Sequence, residues 1–191
     1  VLNLSAPIEE QLKVLSDCGI NLRPEITIKH LLASFDRESF ENEPYVLLLV
    51  VMGGELEVEP FQYASDNIWH FDTECIEDHG DYAKITHRML DLAGDALPLE
   101  GIEDYVDIEE GEAWLAFNSN GKGYKWTAAV EDDWVDPNIL SQFAELLAER
   151  NAGKRFTYFD LEGQDCLIGC STPEQFERLK DETGLNFQWL A

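Results

Sequence analysis

The chain has 191 residues and sets 39 Asp and Glu against 13 Lys and Arg, a formal charge of -26 at pH 7. A field of that sign and size repels nucleic acid and anionic membrane surfaces and attracts basic partners, so neither nucleic acid nor membrane is expected as a partner. The length suffices for a full hydrophobic core, and aromatic residues and apolar periodicity persist to the C-terminus, which excludes an acidic disordered chain.

Taken in chain order, Ile8, Leu12 and Leu15 recur at helical spacing behind Pro7, with Gly19 as a stop, and predict a first helix. Pro24 opens a second, with Ile28, Leu31, Leu32 and Phe35 on its apolar face and His30 beside that face. YVLLLVVMGG, Tyr45 to Gly54, is continuously apolar and short, and reads as a buried strand ended by glycines. NIWHFDTEC follows as a strand with Trp69 and Phe71 on one side and His70, Asp72 and Glu74 on the other. Tyr82, Ile85, Met89, Leu90 and Ala93 define a third helix bounded by Gly94, which puts His87 on the solvent side with Lys84, Arg88 and Asp91.

GIEDYVDI and AWLAFNSNGKGYKWTAAV predict strands, the second a hairpin turning at NSNG with Tyr124, Trp126 and Ala128 pointing inward. Asp136 caps a helix with Pro137 in its first turn and Ile139, Leu140, Phe143, Leu146 and Leu147 as its core stripe. RFTYFDL and DCLIGCS are strands, Thr172 to Gln175 fits a capping box for the last helix, and LNFQWL closes the chain as a strand. The order strand, strand, helix, strand then occurs twice, from Tyr45 to Ile108 and from Arg155 to Leu190. The expected class is α+β, with a mainly antiparallel sheet and helices on one face. It forms a single domain over residues 1–191, or alternatively two halves, 1–110 and 111–191.

The longest apolar run, Val46 to Met52, is too short to span a bilayer. No basic segment followed by an apolar one opens the sequence, so no signal peptide is expected. Of the four cysteines, Cys166 and Cys170 would stand roughly 13 Å apart on one strand at about 3.3 Å per residue, too far for a disulfide. Reduced thiols and a cytoplasmic location are the expectation.

The densest chemistry lies in WHFDTECIEDHGDY, residues 69–82, with two histidines, five carboxylates and a cysteine. His70 and Asp72 share a strand face and, with His79, form a candidate metal set for a metal-dependent hydrolase. The pattern is only superficially that of the facial triad of non-haem iron oxygenases, because no histidine follows His87. Against a site stands the reading of a strand that ends in an acidic turn, where Asp78 or Asp81 caps the next helix. Ser34 and Ser171 lack a nucleophile-elbow context, Gly121 to Gly123 sits in a hairpin rather than before a helix, and Asp165 beside Cys166 disfavours a reactive thiolate. No cofactor and no catalytic residue are expected.

The carboxylates are unevenly spread. No lysine or arginine occurs between Arg37 and Lys84, between Arg88 and Lys122, or between Lys125 and Arg150. Two clusters interleave acid with aromatics: EGIEDYVDIEEGE, with Glu103, Asp104, Tyr105, Asp107, Glu109 and Glu110, and EDDWVD, with Glu131, Asp132, Asp133 and Trp134. Aromatic anchors supply hot spots and charges steer a basic partner toward them, so these ten residues are the candidate partner-binding set. Acidic solubilising loops, in a structural or regulatory domain without catalytic activity, are the alternative.

WHFDTECIEDHGDY, EDDWVDP and GQDCLIGCSTPEQF together resemble segments of the immunity proteins of bacterial toxin systems. That resemblance implies a stoichiometric inhibitor that binds a basic toxin, often a nuclease, and occludes its active site. It transfers no catalytic residue.

Overall fold

The computed structural model describes residues 5–191. The first helix, α1 (Ile8–Asp17), follows Pro7 as expected, but Gln11 rather than Leu12 joins Ile8 and Leu15 on its buried side. The Gln11 amide is fully enclosed because three backbone groups satisfy it. Its Nε2 donates to Ala6 O at 2.7 Å and Phe40 O at 2.8 Å, and its Oε1 accepts from Tyr45 N–H at 2.9 Å. α2 (Ile28–Ser34) starts at Thr27, not at Pro24, through a capping box in which His30 Nδ1 accepts from Thr27 N–H at 2.9 Å. Phe35 lies beyond its end, extended and 47% exposed, so it leaves the apolar face assigned to it. Asp36 then caps a further short helix, α3 (Arg37–Asn42).

The run expected as a strand from Tyr45 to Gly54 is instead a helix, α4 (Val46–Gly53). Its residues are apolar on every side, so the sequence offers no periodicity by which helix and strand could be told apart. After it come the two-residue strands β1 (Glu55–Leu56) and β2 (Gln62–Tyr63), paired antiparallel, and β3 (Ile68–Asp72). Gly53 lies against β3: a Cβ there would fall 2.8 Å from the Trp69 carbonyl carbon and closer still to His70 N. The first expected strand, strand, helix, strand unit therefore begins with a helix.

Beyond β3 the observed elements follow the sequence pattern more closely. They are α5 (Asp81–Ala93), β4 (Glu100–Asp107), β5 (Glu112–Ser119), β6 (Lys122–Ala128), α6 (Pro137–Glu149), β7 (Arg155–Asp160), β8 (Asp165–Ser171), α7 (Pro173–Thr183) and β9 (Gln188–Trp189). Local signals explain the agreement. Asp136 caps α6, accepting from Asn138 N–H, and Thr172 and Gln175 form the capping box of α7. Asn120 and Gly121, both at positive φ, turn the β5–β6 hairpin. On α5, His87 is exposed as expected, whereas Arg88 is buried at 3% exposure, 3.6 Å from Asp91. The guanidinium is more weakly hydrated than an ammonium, so arginine tolerates burial that lysine resists.

The described strands are antiparallel and fall into three sheets, giving an α+β fold. The chain divides into two compact units. The first, Val1–Phe71 with Thr157–Gln188, contains α1 to α4, α7 and the body of a four-stranded sheet of order β3-β8-β7-β9. Strand β8 is buried on both faces through Cys166, Leu167 and Ile168. Gly169 brings its backbone to 2.8 Å, measured from where a Cβ would stand, of Thr157 Oγ1.

The second unit, Asp72–Phe156 with Trp189–Ala191, is built on the three-stranded sheet β4-β5-β6. Ala113, Leu115 and Phe117 alternate along β5 and are buried, and they pair in register with Ala128, Trp126 and Tyr124 on β6. Phe143 of α6 packs on Trp126 at 4.9 Å and on Phe117 at 6.3 Å between ring centroids. The helices of this unit thus cover one face of its sheet and leave the other to solvent.

Candidate functional site

Strand alternation decides which side chains reach the uncovered face of the second unit's sheet. On β4, Glu103, Tyr105 and Asp107 pair with Ala116, Trp114 and Glu112 of β5, opposite in direction to buried Leu115 and Ala113. Three of the candidate binding residues therefore share one face with Trp114. Asp104 takes the other direction. Its carboxylate accepts from Gly80 N–H at 2.7 Å and from Ala83 N–H at 3.0 Å, so it caps α5 from across the unit. Glu109 and Glu110 are exposed in the turn between β4 and β5, where Glu110 N–H donates to Asp107 Oδ1.

Rings stack along that face. Tyr105 and Trp114 lie nearly parallel, 12° between planes and 6.0 Å between centroids, and the His79 ring covers Tyr105 at 4.8 Å. From β6, Lys125 Nζ sits 4.1 Å from the centroid of Trp114. The Tyr105 hydroxyl is pushed up from its ordinary pKa first by the charge of Asp107, then by desolvation and by Glu112. Neither Trp114 nor Lys125 was legible as part of this surface from composition. The signal that would have found them is the hairpin turn, whose length fixes Tyr105 opposite Trp114.

The second acidic cluster is a tight turn in the same unit. Asp132 takes a left-handed φ of 48°, Trp134 N–H donates to Glu131 O, and Trp134 is 41% exposed. The residues following β3 hold the turn in place: Cys75 and Ile76 N–H both donate to Asp133 O at 2.8 Å, and Val135 N–H donates to Thr73 O at 2.8 Å. The next residues reach the first cluster, where Val106 N–H donates to His79 Nδ1 at 2.9 Å. The stretch from Thr73 to Tyr82 thus ties both acidic and aromatic segments into one piece of backbone structure. Tyr82 adds a buried link, its hydroxyl accepting from Asp136 N–H at 3.0 Å.

The candidate metal residues have separate partners. In the first unit His70 Nε2 lies 3.1 Å from Asp165 Oδ2, and in the second Asp72 accepts from Glu74 N–H while His79 uses Nδ1 on Val106. Among the described residues no three His, Cys, Asp or Glu side chains form a group that could hold a metal ion. In the turn before α5, Asp81 accepts from Glu77 and Asp78 N–H and from Lys84 Nζ, and Asp78 accepts from His79 N–H. The expected acidic turn is present, with the cap of α5 supplied by Asp104.

Burial pushes the Cys75 thiol up to about 12, with Asp72, Asp81 and Asp133 adding to the shift. Cys166 rises to about 12 through burial and then Asp165, and Cys18 to about 11 through burial and then Glu182. All four cysteines are free thiols. Among the described residues no helix is long and apolar enough to cross a membrane. No protein-family model, no curated protein and no solved structure matches the chain.

Proposed function

We propose that the chain is a non-catalytic acidic binding protein, an immunity-type inhibitor that neutralises a basic toxin, with nucleases the first candidates, by occluding its active site. One observation carries this reading: the segment from Thr73 to Tyr82 is hydrogen-bonded to both acidic clusters of the second unit, so Tyr105, Trp134 and their carboxylates stand on a shared framework. An interface needs aromatic anchors held rigid before the partner arrives, because ordering them on binding would oppose association. The net charge of -26 adds electrostatic steering of a basic partner.

Support for a non-catalytic role comes from the groups that would otherwise act. The His79 nitrogen facing the strand is engaged by a backbone N–H, and the shifted thiols stay protonated at neutral pH. The test is capture from the host's own lysate on the tagged protein, stepwise elution with salt, and assay of the released protein. The expected result is a basic protein in near-equal amount, released only at high salt, whose activity is abolished by stoichiometric re-addition of this chain. Retention of nothing specific, or of a protein whose activity is unchanged by re-addition, overturns the reading.

A further inference from the structure

We infer that the uncovered face of the β4-β5-β6 sheet is a seat for an arginine side chain of the basic partner, and that Lys125 occupies this seat until the partner displaces it. The inference rests on the binding reading above and names where the partner's cation sits.

Its basis is that the protein already places a cation there. Lys125 Nζ stands 4.1 Å from the Trp114 centroid, approaching from the β6 side, while Tyr105 backs the same ring from the β4 side at a 12° interplanar angle. An indole ring with an electron-rich neighbour is a strong receptor for a positive charge. The carboxylates of Glu103, Asp107 and Glu112 point to the same side of the sheet.

Small residues lie beside the ring. Gly101, Ala116 and Gly123 open a shallow trough of about 470 Å³ walled by Glu103, Asn118 and Lys125. In register, Glu103, Ala116 and Lys125 form one row across the three strands, two residues along from Trp114. Ala116 and Trp114 are successive side chains on that face of β5, so a side chain laid over Ala116 along the strand brings its head to Trp114. Arginine matches better than lysine, since its planar guanidinium stacks on the ring while its edge bonds a carboxylate in two places. Lys125 is a compact, well-hydrated charge on an exposed stem and can rotate into water.

The test titrates a blocked pentaarginine peptide into the full chain at about 150 mM salt, where long-range attraction to a polyanion is largely screened. Binding is followed by the indole N–H resonances, that of Trp114 being identified by its loss in Trp114→Leu. The expected result is a saturable shift of the Trp114 resonance, tighter binding than pentalysine, and about tenfold weaker binding in Trp114→Leu. Lys125→Met is expected to bind about threefold tighter, whereas Lys122→Met, with the same charge change, stays close to the unaltered protein. The gain in Lys125→Met cannot arise from misfolding, so the comparison decides the matter even where Trp114→Leu fails to fold. Equal affinities for Lys125→Met and Lys122→Met, or no movement of the Trp114 resonance, overturns the seat. With the lysate partner still retained, that result removes the seat alone, while a failed capture removes the binding reading itself.

Discussion

Asp104 and Ala83, 21 residues apart in the chain, are joined by a hydrogen bond of 3.0 Å that makes a β-strand carboxylate the cap of a helix; the other Asp104 oxygen accepts from Gly80 N–H. A cap supplied this way couples the start of α5 to β4. Asp104→Ala should cost about 1–2 kcal/mol, with Asp104→Asn recovering part of it. Glu109→Ala removes the same charge from an exposed turn and should stay within about 0.5 kcal/mol. Urea unfolding of the three variants checks this, and equal midpoints for Asp104→Ala and Glu109→Ala would deny the cap.

The Trp134 turn should separate binding from stability. Asp132→Asn, Asp133→Asn and Trp134→Ala together leave the bonds to the Asp133 carbonyl in place, and asparagine tolerates the left-handed φ at position 132. The expected outcome is at least about tenfold weaker retention of the captured basic protein with little change in the unfolding midpoint. Unchanged retention would exclude this turn from the interface.

Acid should act through Asp81. Partial burial pulls its pKa upward, but the Lys84 ammonium at 2.7 Å and the N–H groups of Asp78 and Glu77 outweigh that and hold the carboxyl below its ordinary range. Because the unfolded chain binds the proton more readily, the contribution is complete above an unfolded pKa of about 4 and is lost as pH falls through the lower folded value. Asp81→Asn should therefore lower the urea midpoint at pH 7, and the difference from the unaltered protein should shrink as pH drops below about 4. A gap independent of pH would show that ionisation of Asp81 contributes nothing.

Thiol reactivity provides a fourth check. With the Cys75 and Cys166 pKa pushed up from 9.0 to about 12, the thiolate fraction near pH 8 falls roughly a thousandfold. Alkylation followed by mass mapping should leave both unmodified in the native protein and modify both in urea. Rapid native labelling of either would contradict the burial assigned to it.

Gly53→Ala should be the most damaging single-methyl change in the first unit, because the added carbon meets the Trp69 and His70 backbone and neither can withdraw. About 1–3 kcal/mol is expected. At Gly54 the same methyl meets only carbonyl oxygens at 3.5 and 3.8 Å, so Gly54→Ala should be mild. Thermal unfolding of the pair checks the contrast.

What the sequence determined by itself is the set of features whose signals are local. Asp136 with Pro137, Thr172 with Gln175, and the alternation through Tyr124, Trp126 and Ala128 each act within a few residues, and each places its element correctly. The acidic character of the candidate face was equally legible, since charge is a property of composition. Tertiary structure decided the rest, because the deciding partners are distant in the chain. The apolar run from Val46 to Gly53 has no polar residue to give it a phase, so its packing against β3, through the missing side chain of Gly53, accompanies a conformation that periodicity could not select. Gln11 turns inward because Phe40 and Tyr45 satisfy its amide, and Asp104 caps a helix rather than facing solvent because Gly80 and Ala83 meet it there. The pairing of Tyr105 with Trp114 and Lys125 depends on register across three strands, and register is where a pattern along one strand becomes a surface.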